Sequence, residues 1–438
     1  MTAGRRTVCL VGSGERVVRA AQQHGFDVVL IAARTPLKTA AIQLAEHTVV
    51  CDYTDPAELT ALLRAVHAWR PFERLASLAE LGQVPAAVAA AALGVPGPDP
   101  RATRLARDKL AMRETLRTSG LPHTRYARCA SPTELVTFGA EAGWPVVLKV
   151  VDGVGKDGVR LVGSPRAAPE AFAAVAAAVP GRALMVEEYH PGPEVSVETL
   201  SYDGRHHVLA VTDKESNAPY LNETGHTIPS RLDPVTLAAV RRTTVDLLDL
   251  LGVRTALCHT ELRCTPAGPR VIETHTRPGG DHIRDLLRLA YGIDIYDMFF
   301  GLLAGAEVEL PGEPRGAAAI RFLTPVPGRV VGVHGVGLAE QMPGVVEVDI
   351  TVEPGDLAPE PTGNHSRCGY VIAVGRTADE AAAAADTARA AIQVSTTGAR
   401  QGDTADVRQG DIADVRQGDV ATTQVRTLST VDGTRTGR

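Results

Sequence analysis

Residues 254–284 read RTALCHTELRCTPAGPRVIETHTRPGGDHIR, and their pattern carries most information about the architecture. Two runs of aliphatic and β-branched residues, 253–264 and 270–276, flank a turn of proline, alanine and glycine, which predicts a β-hairpin with a longer loop. Glu261 lies on the first predicted strand and Glu273 on the second. Because facing side chains of an antiparallel pair begin roughly 5 Å apart, we expect the two carboxylates to share a divalent cation.

A second interpretation of this hairpin stays open at this point. In it, the acids only form the solvated side of a half-buried strand pair. Gly279 and Gly280 follow the second strand and permit a close approach of the backbone. A helix with an acidic first turn is predicted over 283–303. The stretch therefore gathers acids, imidazoles and Arg277 on a strand pair that leads into a helix.

Length and composition limit the class of protein. The 438 residues suffice for two or three domains, and 44% hydrophobic content is typical of a globular protein. A net charge of -6 argues against nucleic acid as a partner. The six cysteines form no CxxC pair, and the first apolar run is too short for a signal peptide or a membrane span. We expect no membrane partner and a cytoplasmic protein, with a homodimer as the common default.

Strands and helices alternate through residues 1–95, which predicts a small parallel α/β domain. Residues 94–100 form a linker rich in proline and glycine. A single helix is predicted over 101–119, and it carries Lys109.

Lys149 lies inside the apolar run PVVLKVV, where a buried ammonium group requires an anionic partner. Phosphate is a natural partner of that kind. Residues 152–159 follow as DGVGKDGV, a glycine-spaced loop whose backbone amides are suited to phosphate oxygens. A lysine strand followed by such a loop favours a phosphate site over a simple flexible turn.

Three further segments have distinct patterns. Glu194 and Glu198 share one face of an alternating strand, which fits a lined cleft or, equally, a solvated sheet face. Residues 214–228 are polar and without periodicity, which predicts a functional or flexible loop. From residue 394 onward the motif DVRQGD repeats, and the tail is predicted to be disordered.

Taken in order, these motifs resemble the ATP-grasp superfamily of carboxylate–amine ligases, most closely its L-amino-acid ligase branch, over residues 5–393. The resemblance implies the ATP-grasp fold, α/β and α+β in class. The implied domains are an N-terminal α/β pre-ATP-grasp domain (1–95), a small ATP-grasp subdomain (96–190), a large antiparallel-sheet domain with the metal site (191–310), a lid subdomain (311–393) and the disordered tail (394–438).

The resemblance also implies ATP as a ligand, with Mg²⁺ or Mn²⁺. The residues implied to bind ATP are Lys109, Lys149, Gly153, Gly155, Lys156, Gly158, Glu187, Glu188, Tyr189, His190 and Glu194. The implied metal ligands are Glu261, Glu273 and His275, with His275 standing where the family often has asparagine.

Substrate residues follow from the same resemblance. Those implied to bind the substrates are Lys214, Glu223, His226, Arg277, Gly279 and Gly280. Glu223 is expected to meet the ammonium group of the first substrate and His226 its reacting end. The catalytic roles are expected to fall to Arg277, His226 and Lys149.

The function implied is an ADP-forming ligase that joins an amino acid, or a related carboxylate, to an amine or a second amino acid through an acyl phosphate. Such enzymes serve in dipeptide and peptide natural-product biosynthesis. Two alternatives are weighed against it: an ATP-grasp carboxylase or formate-dependent transferase of the biotin carboxylase or purine type, and a nucleotide-binding protein without chemistry. The substrate-like stretch 222–230 argues against the first, and the retained lysines and acids argue against the second.

Overall fold

The structure of the protein is a computed structural model that describes residues 6–153 and 156–398. Gly155 and residues 399–438, which include most of the predicted tail, lie outside the described residues. None of the described helices combines the length and apolar character that a bilayer span requires.

The first unit is a parallel four-stranded sheet in the order β3-β2-β1-β4. Its central strands are buried along nearly their whole length, because helices cover the sheet. This agrees with the alternating pattern predicted from the sequence. The elements are β1 (Arg6–Val11), α1 (Glu15–Gln23), β2 (Phe26–Ala32), α2 (Thr39–Leu44), β3 (His47–Val50), α3 (Pro56–Trp69), β4 (Arg74–Ala76) and α4 (Gln83–Leu93).

The next unit is an antiparallel sheet in the order β5-β8-β6-β7. The prediction of a single helix over 101–119 is wrong, because the structure has two helices there. Asp108 has an extended backbone and its carboxylate caps the second helix by accepting from Ala111 N–H, so the chain turns there. The elements are α5 (Pro100–Arg107), α6 (Lys109–Ser119), β5 (Tyr126–Arg128), α7 (Pro132–Ala142), β6 (Val146–Val150), β7 (Val159–Val162), α8 (Ala168–Ala178) and β8 (Leu184–Glu188).

Most of the large sheet comes from the following segment. The loop predicted over 214–228 is mostly strand, because β10 and β11 form a hairpin whose polar side chains point inward. The helix predicted over 283–303 is two helices, separated where Gly292 adopts φ 73°. The elements are β9 (Glu194–Tyr202), β10 (Arg205–Asn217), β11 (Asn222–Ile228), α9 (Pro234–Leu251), β12 (Ala256–Thr265), β13 (Gly268–His275), α10 (Ile283–Tyr291) and α11 (Ile295–Leu303).

The last described segment adds strands to that sheet, whose full order is β13-β12-β9-β10-β11-β14-β18-β16. The sheet therefore crosses the domain boundary predicted at residue 310. Residues 394–398, predicted as the start of the tail, belong to a strand paired with β15. The elements are β14 (Ala317–Phe322), β15 (Gly328–His334), α12 (Val336–Glu340), β16 (Val345–Ile350), β17 (Leu357–Ala358), β18 (Gly369–Gly375), α13 (Ala378–Ala391) and β19 (Gln393–Gly398).

The hairpin predicted from the opening stretch is β12 and β13. Glu261 pairs with Glu273 in the register, and His259 pairs with His275. Residues 270–275 thus meet 259–263 as the sequence predicts, which sets the positions of the acids at one end of the large sheet.

Candidate functional site

A cleft of about 760 Å³ lies between the four-stranded antiparallel sheet and the large sheet, and residues of both line it. Its apolar lining comes from Val147, Val150, Val159, Leu221, Val271 and Ile272. Its charged lining comes from Lys109, Arg113, Lys149, Lys156, Asp157, Glu187, Glu188, Glu194, Arg263 and Glu273. An apolar wall beside a dense set of charges suits a ligand with a flat apolar part and an anionic part.

The chain has only five lysines, and four of them lie at or beside this cleft: Lys109, Lys149, Lys156 and Lys214. The remaining basic residues, apart from Lys38, are arginines. The sequence alone therefore contained a signal for this site, namely that lysine is rare in the chain and that four of the five lysines lie in or beside the segments that form the cleft.

Lys149 on β6 has a carboxylate as its partner. Its Nζ lies 2.6 Å from Glu187 Oε2, and Arg113 Nε lies 2.6 Å from Glu187 Oε1. Burial alone would raise the pKa of the Glu187 carboxyl, but Arg113 and Lys149 lower this pKa to about 2. Burial lowers the pKa of Lys149. The sequence predicted the need for a partner but did not identify Glu187 or Arg113.

We call the next group the acid–lysine cluster; it consists of Lys109, Lys156, Lys214, Glu194, Glu223, Glu261 and Glu273. Lys109 Nζ lies 2.9 Å from Glu273 Oε2 and 3.0 Å from the carbonyl oxygen of Gly153. Lys156 Nζ lies 3.3 Å from Glu261, 3.4 Å from Glu223 and 3.6 Å from Glu194. Lys214 Nζ contacts Glu261 and lies 2.6 Å from Glu223 Oε1.

Burial acts to raise the pKa values of Glu223, Glu261 and Glu273, but the lysines beside them hold each pKa well below its usual range. The carboxylates are therefore charged at neutral pH.

This donor set fits a hard divalent cation. Oxygen atoms of Glu194, Glu223 and Glu261 lie within 4.8 Å of one another, and carboxylate oxygens are the ligands that Mg²⁺ and Mn²⁺ prefer. Glu273 faces Glu261 across the strand pair. Both ring nitrogens of His275 lie 3.3 Å from carboxylates, those of Glu80 and Glu273, so the role of His275 as a metal ligand stays a prediction.

Two carboxylate–imidazole–carboxylate chains support the paired acids. On β12, His259 lies 2.5 Å from Glu198 and 3.3 Å from Glu261. On β13, His275 links Glu80 to Glu273. Each chain orients one acid of the hairpin through a buried imidazole. Neither Glu80 nor His259 was predicted as a site residue.

Glu80 and Glu198, the acids at the far ends of these two chains, also hold the segment that follows β13. Arg277 Nε lies 2.5 Å from Glu80 Oε2, and the Gly279 N–H donates to Glu198 Oε2 at 3.0 Å. A Cβ at Gly279 would lie 2.8 Å from His259 Nδ1, so the close approach predicted for this glycine is present. A Cβ at Gly280 would meet nothing within 4 Å.

We call the neighbouring group the His226 cluster; it consists of Glu223, His226, Asp281, Asn364 and Arg367. His226 is fully buried, and neither ring nitrogen has a hydrogen-bond partner among the described residues. Its Nε2 lies 3.6 Å from Glu223 Oε2 and 3.8 Å from Asp281 Oδ2. Arg367 Nη1 lies 2.8 Å from Asp281 Oδ1.

The remaining predicted residues lie around the cleft. Residues 187–190 line it, with Glu188 paired to Arg125 at 3.0 Å. His190 lies 3.0 Å from Thr124 Oγ1. Glu194 also accepts a hydrogen bond from Arg263 Nη2 at 2.5 Å. Gly153 lines the cleft and Gly158 adopts φ 69° at the end of the loop, while the predicted Gly155 lies outside the described residues.

Three family models match consecutive segments of this chain. Residues 18–97 match the ATP-grasp N-terminal domain, residues 142–285 match the ATP-grasp domain, and residues 321–397 match the L-amino acid ligase C-terminal domain 2. Together the three matches follow the order of the chain.

Individual proteins are similar as well. Carnosine synthase 1 of Gallus gallus is 30% identical over 245 residues, which is 51% of this chain and 26% of that protein. The L-arginine-specific L-amino acid ligase of Bacillus subtilis is 21% identical over 72% of this chain and 78% of that protein. This chain spans less than a third of the length of the carnosine synthases it matches.

A solved structure has the same fold. The crystal structure of L-amino acid ligase from Bacillus licheniformis has a TM-score of 0.72 and 22% identity, covering 90% of this chain and all of that one. The fold class predicted from the sequence is confirmed.

Proposed function

Because the chain belongs to the ATP-grasp superfamily and carries an L-amino acid ligase C-terminal domain, we propose that it is an ADP-forming carboxylate–amine ligase. In this proposal it activates an amino acid as an acyl phosphate and joins it to an amine or a second amino acid. The observation that carries the proposal is the pairing of Glu261 with Glu273 beside Lys109 and Lys156, with Arg277 held on the following segment.

The triphosphate would lie along the lysines of the cleft. Lys109, Lys149 and Lys156 offer buried ammonium groups to phosphate oxygens, and they exchange contacts with carboxylates for contacts with phosphate. The apolar wall beside residues 187–190 is the proposed place of the adenine ring. Glu261 and Glu273 are the proposed ligands of Mg²⁺ or Mn²⁺, which neutralises phosphate charge when bound.

Phosphoryl transfer needs positioned reactants and compensated charge more than covalent help from the protein. In the first step, a carboxylate oxygen of the substrate attacks the γ-phosphorus and ADP leaves. Arg277 can form two parallel hydrogen bonds to a carboxylate or phosphate. Its contact with Glu80 holds the guanidinium beside the paired acids.

In the second step, the amine attacks the acyl carbon, and phosphate leaves from the tetrahedral oxyanion that forms. Arg277 would stabilise that oxyanion. The amine must lose a proton, and we assign His226 as the base because its buried ring nitrogens have no hydrogen-bond partner among the described residues. Closure of the loop at 153–158 would keep water from the acyl phosphate.

The test is a screen of amino acid pairs with ATP, Mg²⁺ and the full chain, followed by product mass. We expect ADP and phosphate in equal amounts only when a carboxylate donor and an amine are both present, with loss of one water in the product mass. AMP and pyrophosphate would contradict acyl-phosphate chemistry. Turnover that requires bicarbonate or formate would favour the carboxylase or transferase type instead.

The homodimer and the cytoplasmic location expected from the sequence stay predictions. Sedimentation of the purified protein and fractionation of the cells that make it would test them.

A further inference from the structure

A second cavity lies between α1 of the first unit and the helices α10 and α11. Its volume is about 910 Å³, and the described residues that line it are all different from those that line the cleft. We call it the arginine cavity, because four arginines line it: Arg16 and Arg19 on α1, and Arg284 and Arg288 on α10. The proposed reaction uses none of these four residues.

Helical spacing brings the four guanidinium groups around one space. Arg16 and Arg19 are three residues apart, and Arg284 and Arg288 are four apart, so each pair lies on one face of its helix. Buried apolar residues of α1 and α10 belong to the same core, which fixes the two helices relative to each other. Like charges that are held close together repel one another unless an anion lies between them.

Buried residues hold two of these guanidinium groups. Arg16 Nη1 lies 2.6 Å from Oδ1 of Asp285, whose side chain is only 9% exposed. Arg284 Nη1 donates a hydrogen bond to the hydroxyl oxygen of the buried Tyr296 at 2.9 Å. A guanidinium group has five N–H donors, so the contact with Asp285 orients Arg16 and leaves it donors for a ligand.

The acids that line the arginine cavity have partners within the chain. Asp285 also lies 3.1 Å from His282 Nδ1. Asp294 accepts hydrogen bonds from two backbone N–H groups at the start of α11. Asp297 lies 2.7 Å from His24 Nε2. These acids therefore do not compensate the whole positive charge of the four arginines.

Arg288 is the guanidinium most directly available to a ligand. Arg19 has a partner one turn earlier, Glu15, at 2.7 Å. Arg288 is exposed and has neither an ion pair nor a side-chain hydrogen bond within residues 6–153 and 156–398. We propose that the arginine cavity is a second binding site, for a small molecule that carries a phosphate group. This site is independent of the proposed ligase function.

The chemistry of the lining selects this class of ligand. Guanidinium groups form paired hydrogen bonds to the oxygens of a phosphate group. The volume of about 910 Å³ lies in the range of small-molecule sites. Ala20, Ile295 and Tyr296 add apolar surface to the lining, so we expect the ligand to have an organic part beside its phosphate group.

Asp285 connects the arginine cavity to the start of α10. It contacts Arg16 from the cavity and His282 from the segment that precedes the helix. His282 follows Asp281 and adopts a left-handed φ of 62°. A phosphate group bound to arginines of both α1 and α10 is therefore expected to restrict the motion of the first turns of α10.

The experiment measures binding by isothermal titration calorimetry on the full chain, with the cleft filled by Mg²⁺ and a non-hydrolysable ATP analogue. The probes are inorganic phosphate, pyrophosphate and glucose 6-phosphate, with sodium chloride at the same ionic strength as the reference. We expect a phosphate probe to bind at one site per chain. Tighter binding of glucose 6-phosphate identifies an organic phosphate as the ligand, and tighter binding of phosphate or pyrophosphate identifies a free one.

Substitution of Arg288 tests the position of the site. Arg288→Gln should weaken the binding of the best probe about 5- to 30-fold, as expected for loss of a charge-assisted hydrogen bond at an exposed position. Arg288→Lys should keep part of the affinity, because it keeps the charge but not the paired donors. Arg389→Gln removes an exposed arginine on α13 and should bind the probe as the wild type does.

Hydrogen exchange followed by mass spectrometry supplies a second measurement. Exchange over residues 282–288 should slow when the probe is bound to the wild type, and less so for Arg288→Gln at the same probe concentration. The proposal is overturned if no phosphate probe binds while the cleft is filled, or if sodium chloride gives the same heat. It is also overturned if Arg288→Gln and Arg389→Gln bind equally well, or if exchange over 282–288 does not change. None of these measurements needs turnover, so a failure of the ligase function would leave their result unchanged.

Discussion

The acid–lysine cluster and the His226 cluster share Glu223 but differ in how their polar atoms are satisfied. In the acid–lysine cluster, each lysine ammonium group lies 2.6 to 3.6 Å from a carboxylate oxygen. Lys214 also contacts Glu261. In the second, a fully buried imidazole has no hydrogen-bond partner among the described residues. Unpaired buried polar atoms cost stability, and that cost is expected where a ligand supplies the missing partner.

From this contrast we expect the two clusters to respond to substitution in different ways. Removing a charge from the acid–lysine cluster leaves an opposite charge buried without its partner, which is strongly unfavourable. Removing the imidazole of His226, whose ring nitrogens have no hydrogen-bond partner among the described residues, leaves no charge unpaired, so its loss should affect mainly substrate binding and turnover. The following predictions test that contrast.

The largest effect is expected for Glu261→Gln. This change removes a carboxylate that contacts Lys156 and Lys214 and faces Glu273. We expect kcat to fall about 100- to 1000-fold, because charge stabilisation at the phosphate is lost. The measurement is ADP formation with the amino acid pair found in the screen. Glu340→Gln, at an exposed residue at the end of α12, is the matched control, and equal rates for both variants would contradict the assignment.

Lys149→Met should have the next largest effect. It removes the ammonium that lies 2.6 Å from Glu187 in the cleft, so we expect KM for ATP to rise about 10- to 100-fold through loss of a charge-assisted contact to phosphate. The KM of the amino acid should change much less. Lys38→Met removes the one lysine remote from the cleft and should leave both constants unchanged. A rise in the KM of the amino acid alone would contradict the assignment of Lys149 to the phosphates of ATP.

The sequence predicted the acid–lysine cluster better than the His226 cluster. The glycine-spaced loop that carries Lys156 and the acids on the hairpin are local patterns, so neighbouring residues reveal them. The same holds for Lys149, which lies in an apolar strand outside this cluster. The scarcity of lysine also marks Lys156 and Lys214. Residues 214–228 lacked a clear period because their buried side chains are polar, and the two strands were therefore predicted as a loop.

Contacts between distant segments could not be predicted from local patterns. Glu80 and Arg277 are 197 positions apart, and Arg367 and Glu223 are 144 apart. Which acid meets which arginine depends on how the N-terminal domain and the C-terminal segment pack against the large sheet. Similarly, the break at Asp108 needed an aspartate to act as a cap inside a sequence with good helix formers.

A pH titration of stability tests the paired charges directly. The pKa of Glu187 falls from 4.5 to about 2 in the folded chain. A depressed pKa contributes stability that is fully present above the unfolded value and is lost as pH falls through the folded value. This contribution is on the order of 3 kcal/mol. Glu187→Gln should therefore be less stable than wild type at pH 7.

The difference between the two proteins should shrink as the pH falls from 4.5 towards 2. Urea unfolding followed by circular dichroism at several pH values provides the measurement. Glu188→Gln alters the neighbouring carboxylate, which pairs with Arg125 near the surface, and should give a much smaller difference. If the difference in the free energy of unfolding between Glu187→Gln and wild type stays constant over this pH range, the pKa of Glu187 is not lowered in the folded chain.

The smallest effect is expected at a surface contact between the neighbours of the two clusters, since Asp157 follows Lys156 and His365 follows Asn364. Asp157, in the loop that follows β6, lies 2.9 Å from His365 Nδ1, and both side chains are more than a third exposed. Its hydrogen bond raises the pKa of His365. Because exposed pairs contribute little, Asp157→Asn should change the KM values for ATP and the amino acid by no more than about threefold.

Both KM values should change together, since His365 lies beside Asn364, which contacts Glu223 and Asp281. His365→Gln should give the same small shift, and the double variant should add nothing further, because either change alone removes the contact. A change in the ATP value alone, or additive effects in the double variant, would mean that this contact does not couple the binding of ATP to the binding of the amino acid.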